Sequence, residues 1–216
     1  IETIIIPTTV TSIGDYAFQN CSVLKRLNSD TDGEFNIPSG VTEIKQYTFK
    51  NCDEMTKVTI PANVTSIGNY AFYIDSYYGA RFSNITFGDS LESIGEYAFY
   101  NSALKQVVIP SKVGAIASYS FANSDGVERI QLPNELRSIG YNAFYSCDNL
   151  KTVNLPNSLT ELGSGAFSNA PKLESITIPA KLKLISNNAF NSCTGLKEVI
   201  FQEGLETIDY DAFYNC

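Results

Sequence analysis

A repeat solenoid is the fold class the sequence predicts, and three regularities predict it. Phe recurs at Phe18, Phe49, Phe72, Phe99, Phe121, Phe144, Phe167, Phe190 and Phe213, with the last four intervals 23 residues long and the one before them 22. Pro stands eleven residues ahead of seven of these, at Pro7, Pro38, Pro61, Pro110, Pro133, Pro156 and Pro179, while Gly88 and Gln202 hold the other two places. Apolar residues also sit at fixed offsets around each Pro. A unit of twenty-odd residues cannot bury its apolar edge alone, so it must stack on copies of itself.

Each unit then divides into elements in order. Alternation ahead of the Pro, as in Val153 and Leu155 or Ile176 and Ile178, has the period of a half-buried strand. The Pro ends that strand because it has no N–H for a ladder. A second, shorter extended stretch follows, as in Val10 to Ile13 and Val64 to Ile67. Gly or a small polar residue then opens what reads as a short helical turn carrying Ala-Phe inward. The residue before Phe is small, usually Ala, with Thr48 and Ser120 as exceptions, which lets successive coils approach closely. Stacked at about 4.8 Å, nine such coils make a rod of roughly 40 Å. The Phe column is its spine, each buried ring contributing roughly 1.5–3 kcal/mol. Phe35, Phe82, Phe87 and Phe201 also fall on apolar repeat positions, so every Phe is assigned to the core.

The unit quoted from Thr3 to Leu24, TIIIPTTVTSIGDYAFQNCSVL, resembles the BspA-type, or Treponema pallidum-type, bacterial leucine-rich repeat. The resemblance covers the whole chain. It implies a leucine-rich repeat solenoid: a right-handed arc of nine coils of about 23 residues, with a concave parallel β-sheet. Short second strands and short helical turns would lie on the other side. It also implies a non-catalytic module of a bacterial cell-surface or secreted protein that binds proteins or mediates adhesion. An extracellular or surface location follows from the same resemblance. The expected partner is a protein, a host extracellular or mucosal one among the candidates, since members of the family vary in ligand and partner identity does not transfer. Residues 1–216 are read as a single, monomeric array, interrupted near residues 25–34 and 75–81. Neither end carries a polar cap, so the native protein is expected to be longer.

Composition narrows the chemistry. The formal net charge is −8, and no basic stripe is visible, so nucleic acid is not an expected partner. No apolar run is long enough to cross a membrane. The chain has no His, which removes the usual base for a Ser or Cys nucleophile and the commonest nitrogen ligand for zinc. No cofactor is expected. All five cysteines, Cys21, Cys52, Cys147, Cys193 and Cys216, share the column three residues after Phe. Asp75, Ser102, Ser124 and Ala170 hold it elsewhere, so the column asks for a small, mostly buried side chain rather than a disulfide. Only Cys21–Cys52 and Cys193–Cys216 lie in consecutive coils, where a bridge is sterically conceivable.

Surface positions supply the candidates for function. Lys105, Glu128, Lys151, Glu174 and Lys197 share one column with alternating sign, predicting a ladder of cross-strand ion pairs. Tyr16, Tyr47, Tyr70, Tyr97 and Tyr119 precede Phe by two, and stacking between coils is preferred there over ligand binding. The first insertion carries Asn28-Ser29-Asp30-Thr31-Asp32-Gly33-Glu34. It alternates like the front of a calcium loop, but Ser39 stands where an EF-hand needs Glu, and an Asx-rich turn is the preferred reading. Both readings stay open. The second insertion presents Tyr77, Tyr78 and Arg81, residue types that anchor protein contacts. The candidate partner-binding residues are therefore Tyr77, Tyr78, Arg81, Asp30 and Asp32, expected in one patch because both loops are read at the same phase of the coil. A rigid spacer displaying another domain, and a glycan-binding module, are the alternative functions.

Overall fold

The computed structural model describes residues 1–75 and 81–216. Tyr77 and Tyr78 lie outside the described residues. Among the described residues, eighteen short strands run in two rows, all paired in parallel. The row ahead of the Pro holds β1 (Thr3–Ile4), β2 (Arg26–Leu27), β3 (Glu34–Asn36), β5 (Lys57–Thr59), β7 (Asn84–Thr86), β9 (Gln106–Val108), β11 (Arg129–Gln131), β13 (Thr152–Val153), β15 (Ser175–Ile178) and β17 (Glu198–Phe201). The row after it holds β4 (Glu43–Ile44), β6 (Ser66–Ile67), β8 (Ser93–Ile94), β10 (Ala115–Ile116), β12 (Ser138–Ile139), β14 (Glu161–Leu162), β16 (Leu184–Ile185) and β18 (Thr207–Ile208). The molecule is a parallel β-solenoid of the predicted kind.

Tight turns make the corners. The carbonyl of each strand-ending Pro accepts a bond from the residue three along, as in Val10 N–H to Pro7 O at 3.0 Å and Leu159 N–H to Pro156 O at 3.0 Å. The Pro thus ends one strand and opens the turn into the next. The expected helical turns do not form, and no helix occurs among the described residues. Their place is taken by consecutive turns because the backbone reverses twice around each Phe. The residue two before Phe has φ near +60° in all nine coils, from Tyr16 (61°) through Asn142 (51°) and Gly165 (66°) to Asp211 (55°). The residue two after it does the same in most coils, as at Asn20 (60°) and Ser192 (60°). A left-handed residue cannot propagate a right-handed helix.

The core matches the column reading. The Phe rings stack from Phe18 to Phe213 with centroids 5.2–5.7 Å apart. All but the two end members are fully buried. Phe201 departs from expectation: it is 46 % exposed and meets Phe213 edge-on at 6.3 Å. A backbone ladder runs beside the rings without interruption. Each Phe N–H donates to the carbonyl of the small residue in the next coil, from Phe18 to Thr48 (2.9 Å) to Phe190 to Ala212 (2.8 Å).

The sheets are less continuous than that ladder. Both rows lose their strand pairing at the same two places, between β7 and β9 with β8 and β10, and between β13 and β15 with β14 and β16. The Phe side, not the sheet, is therefore the unbroken spine.

The first insertion adds a strand. Leu27 pairs with Ile4 on one side and with Phe35 on the other, so β2 and β3 are parallel neighbours joined only by residues 28–33. Parallel strands ordinarily need a crossover of about a dozen residues. Here Asn28 (φ 49°) and Gly33 (φ 82°) turn the chain, and Asn28 and Asn36 lock it. The Asn28 side chain donates to Asn36 O at 3.0 Å, and the Asn36 side chain donates to Asn28 O at 3.1 Å. Ile6 N–H donates to Asn28 Oδ1 at 2.7 Å, tying the loop to the preceding coil.

Candidate functional site

The two insertions do not share a phase. The first follows its strand residue, Leu27, whereas the second falls between Asp75 and Phe82, ahead of strand β7. Phe82 takes the place held by Leu24 and Leu104 in other coils and is fully buried. A single patch made from both loops at equivalent positions is therefore not the arrangement.

Within the first loop the acidic side chains have separate surroundings. Ser29 Oγ donates to Glu34 Oε2 at 3.0 Å and accepts from Thr31 N–H at 3.1 Å, which is a side-chain-capped turn. Lys57 Nζ lies 3.0 Å from Glu34 Oε1. That ammonium and the Ser29 hydroxyl hold the Glu34 carboxyl below its usual range. Asp32 pairs with Arg26 Nε at 3.3 Å. Asp30 lines a hollow of about 440 Å3 with Ile5, Thr8 and Asn36. Among the described residues no group of three or more Cys, Asp or Glu is placed to hold a metal ion. Arg81 is engaged by Glu54 at 2.7 Å and remains more than half exposed.

The aromatic column stacks as expected. Tyr16, Tyr47, Tyr70, Tyr97 and Tyr119 follow one another at 4.5–4.7 Å, and Tyr141 closes the row edge-on to Tyr119 at 5.2 Å. Lys50 Nζ sits 4.8 Å from the Tyr73 ring centroid. Stacking engages the ring faces, so the column presents edges and hydroxyls to solvent.

The charge ladder forms in pairs rather than continuously. Glu128–Lys151 meet at 2.8 Å and Glu174–Lys197 at 3.5 Å, and Glu2–Lys25 extend the column at 3.1 Å. All are well exposed, so each contributes little to stability. Thiols stay unpaired: all five cysteines are free, with Cys52, Cys147 and Cys193 buried. Burial pushes the Cys193 thiol up to about 12.

The strand face presents an outward row of Ile5, Asn36, Thr59, Thr86, Val108, Gln131, Asn154, Thr177 and Ile200, most of it well exposed. Beside the row lie hollows of about 640 Å3 at Gln131 and Asn154 and about 560 Å3 at Thr86 and Val108. The sequence shows the row but not the hollows, the larger of which lies over the paired strands β11 and β13. No described helix is long and apolar enough to cross a membrane.

Comparison with known proteins agrees with this geometry. A model of the BspA type leucine rich repeat region matches in six copies, over residues 1–128, 74–171 and 114–216. Among solved structures, the leucine-rich repeat protein of T. pallidum is 25% identical, with a TM-score of 0.56 over 82% of this chain and 72% of that one. A leucine-rich repeat protein from Bacteroides ovatus is 24% identical, with a TM-score of 0.52 over 100% of this chain and 76% of that one. The pneumococcal vaccine antigen PcpA is 23% identical, with a TM-score of 0.58 over 96% of this chain and 57% of that one. No curated protein matches the chain. Column by column, from the Pro that ends each strand to the Ala-Phe that fills each coil, the chain belongs to the BspA-type leucine-rich repeat family.

Proposed function

We propose that the chain is the protein-binding, adhesive repeat module of a bacterial cell-surface or secreted protein, acting without catalysis. One observation carries this reading. The strand face holds a row of polar side chains in which Thr59, Thr86, Gln131, Asn154 and Thr177 make no side-chain hydrogen bond among the described residues. Only Asn36 in that row is committed internally. Such groups remain free to bond a partner laid along the coils. Thr, Asn and Gln provide donors and acceptors without the desolvation cost of charge. Tyr77, Tyr78 and Arg81 form a second proposed contact region, and Asp30 and Asp32 on the other insertion a third. A host extracellular or mucosal protein is the partner class this reading favours.

The test is a capture experiment with mucus and extracellular-matrix proteins on the immobilised module. Two folded variants are compared with wild type: Gln131→Ala with Asn154→Ala and Thr177→Ala, and Tyr77→Ala with Tyr78→Ala and Arg81→Ala. Loss of affinity by about tenfold, or 1.4 kcal/mol, in the first locates binding on the strand face, and in the second at the loop. Capture that neither triple variant changes, or no capture at all, defeats the proposal. The second outcome would leave a rigid spacer as the surviving function.

A further inference from the structure

The hollow over β11 and β13 is lined by side chains that the fold leaves unused. Arg129 stands in register beside Thr152, and Gln131 and Asn154 hold the next outward places on the same two coils. Asn134 and Asn157 follow directly after Pro133 and Pro156. All six are exposed and line one hollow of about 640 Å3, within the roughly 300–1,000 Å3 of small-ligand sites. Neighbouring strands lie about 4.8 Å apart and successive outward side chains nearly 7 Å apart, so the six make a close grid. Among the described residues none of their side chains makes a hydrogen bond, whereas Asn149 and Ser158 nearby donate to Asp125 O at 2.6 Å and Leu136 O at 2.5 Å.

Charge and backbone single out the same place. Arg26 and Arg81 pair with Asp32 and Glu54 at 3.3 and 2.7 Å. Arg129 has no carboxylate within ion-pair reach among the described residues, and the adjacent Glu128 is held by Lys151 at 2.8 Å. In a chain of net charge −8, an open face with a free guanidinium is a place for an anion. Pairing of β11 with β13 stops at Ile130–Val153, one residue earlier than its pairing with β9. Beyond it Leu132 N–H has no acceptor among the described residues, whereas Ile60 and Ile109 in the same column donate to Thr86 O and Gln131 O at 2.9 and 3.0 Å. Leu132 and Asn154, whose carbonyl it would reach, both line the hollow. Leu132, Leu155 and Pro156 give it an apolar floor.

Resting on the protein-binding function proposed above, we infer that this hollow takes a carboxylated sugar, a sialic or uronic acid, carried by the glycans of the partner. The guanidinium fork of Arg129 matches a carboxylate bidentately. Each Asn or Gln amide offers two donors and an acceptor, and neighbouring sugar hydroxyls, themselves donors and acceptors, use both kinds. The C–H face of the ring rests on the apolar floor. An acidic peptide would satisfy Arg129 but leave most of the amides idle, and among the described residues no aromatic ring lines the hollow to anchor a peptide side chain. The sugar is the better fit.

Titration calorimetry on the whole chain tests the site, with sialyllactose and a glucuronic-acid disaccharide as acidic probes and lactose as the neutral control. At least one acidic probe should bind about tenfold or more tightly than lactose, and the two together tell a sialic from a uronic acid. Arg129→Gln should weaken that binding at least about tenfold, and Arg129→Lys, which keeps the charge but loses the fork, should fall between. Asn154→Ala should weaken it too, with the fold of each variant checked by circular dichroism. The Leu132 amide should shift on binding in an NMR titration. Lactose binding as tightly as the acidic probes overturns the site. So does acidic-sugar binding that ignores Arg129→Gln or leaves the Leu132 amide unmoved, the absence of binding by either acidic probe, or a glutamate-rich peptide that binds through Arg129 where the sugars do not. Capture of mucus and matrix proteins separates this site from the protein-binding function. Capture that survives enzymatic removal of their acidic sugars keeps the function and removes the sugar from it, whereas capture lost with those sugars supports both.

Discussion

Ser124 Oγ donates to the carbonyl of Phe99 at 3.2 Å, and Cys147 Sγ reaches the carbonyl of Phe121 at 3.5 Å from the next place in the same column. Cys52, Cys193 and Cys216 repeat the contact to Phe18, Phe167 and Phe190 at 3.2–3.3 Å. The column therefore takes a small side chain, and where that side chain is Cys or Ser it commonly donates to the Phe carbonyl of the preceding coil, although Ala170 holds the place without a donor. Cys147→Ser should change unfolding free energy by less than about 1 kcal/mol, one neutral hydrogen bond replacing another. Cys147→Val removes the donor and adds volume to a site that is 0 % exposed, so it should cost about 1–3 kcal/mol. Denaturant unfolding of both variants checks this. A loss at Cys147→Ser as large as at Cys147→Val would show that sulfur itself has a role.

Phe144 tests the spine. Its ring stacks on Phe121 at 5.5 Å and on Phe167 at 5.3 Å and is fully buried. Truncation empties a volume that stacked coils cannot collapse into without breaking the ladder on that side. Phe144→Ala should cost about 3–5 kcal/mol. A change below about 1 kcal/mol in equilibrium unfolding would contradict the packing argument.

Fold and period were legible because one column pattern recurs through the chain, and like residues must stack on like. The Phe spine, the Pro strand ends and the small Cys column all follow from that. What the sequence hid depends on departures from the pattern. The stretch near residues 25–34 reads as an interruption, yet Arg26–Leu27 within it form an added strand, because Asn28 and Gly33 turn the chain in a way that spacing alone does not encode. The Ala-Phe corner read as a short helix because periodicity cannot report the sign of φ. A signal was present: Asn142, Gly165, Asn188 and Asp211 are residue types that tolerate the left-handed region. The junction between coils four and five left a trace as well, with Gly88 in place of Pro and Phe87 in place of Ile. Neither departure discloses that strand pairing lapses there.

The Tyr column sets stacking against backbone strain. Tyr70 has φ 59° and stacks on Tyr47 and Tyr97, each at 4.7 Å. The left-handed conformation costs about 1–2 kcal/mol for a bulky residue, and each aromatic pair returns about 0.5–1.5 kcal/mol. The two nearly cancel. Tyr70→Asn loses both stacks but relieves strain, as Asn142 and Asn188 already do in the same column, so its net effect should lie within about 1.5 kcal/mol. Tyr70→Val loses the stacks and adds β-branching at positive φ, so it should be clearly worse than Tyr70→Asn by chemical denaturation. Equal losses would mean that stacking alone sets the column.

Alkaline pH probes the same column from another side. Burial, reinforced by the neighbouring Tyr119 and Tyr70, pushes the Tyr97 hydroxyl up to about 12. Burial first and then Asp75 do the same for Tyr73, also to about 12. A raised pKa in the folded state means that folding favours the neutral phenol. Its contribution is complete below the unfolded value near 10 and is lost as pH climbs through the folded value. The thiol of Cys193, raised by burial to about 12, acts in the same direction. The solenoid should therefore hold its fold up to about pH 10 and lose stability between about pH 10 and 12. Phenolate absorbance should include a late stage in which the stacked rings, Tyr97 and Tyr73 among them, ionise together with unfolding. Tyr97→Asn removes one late-titrating group from the column, so its loss of stability between those pH values should be shallower than that of wild type. If all the tyrosines ionised together near their ordinary value while the circular dichroism stayed native, the stacked rings would not be shielded, and the column would be a looser surface than its spacing indicates.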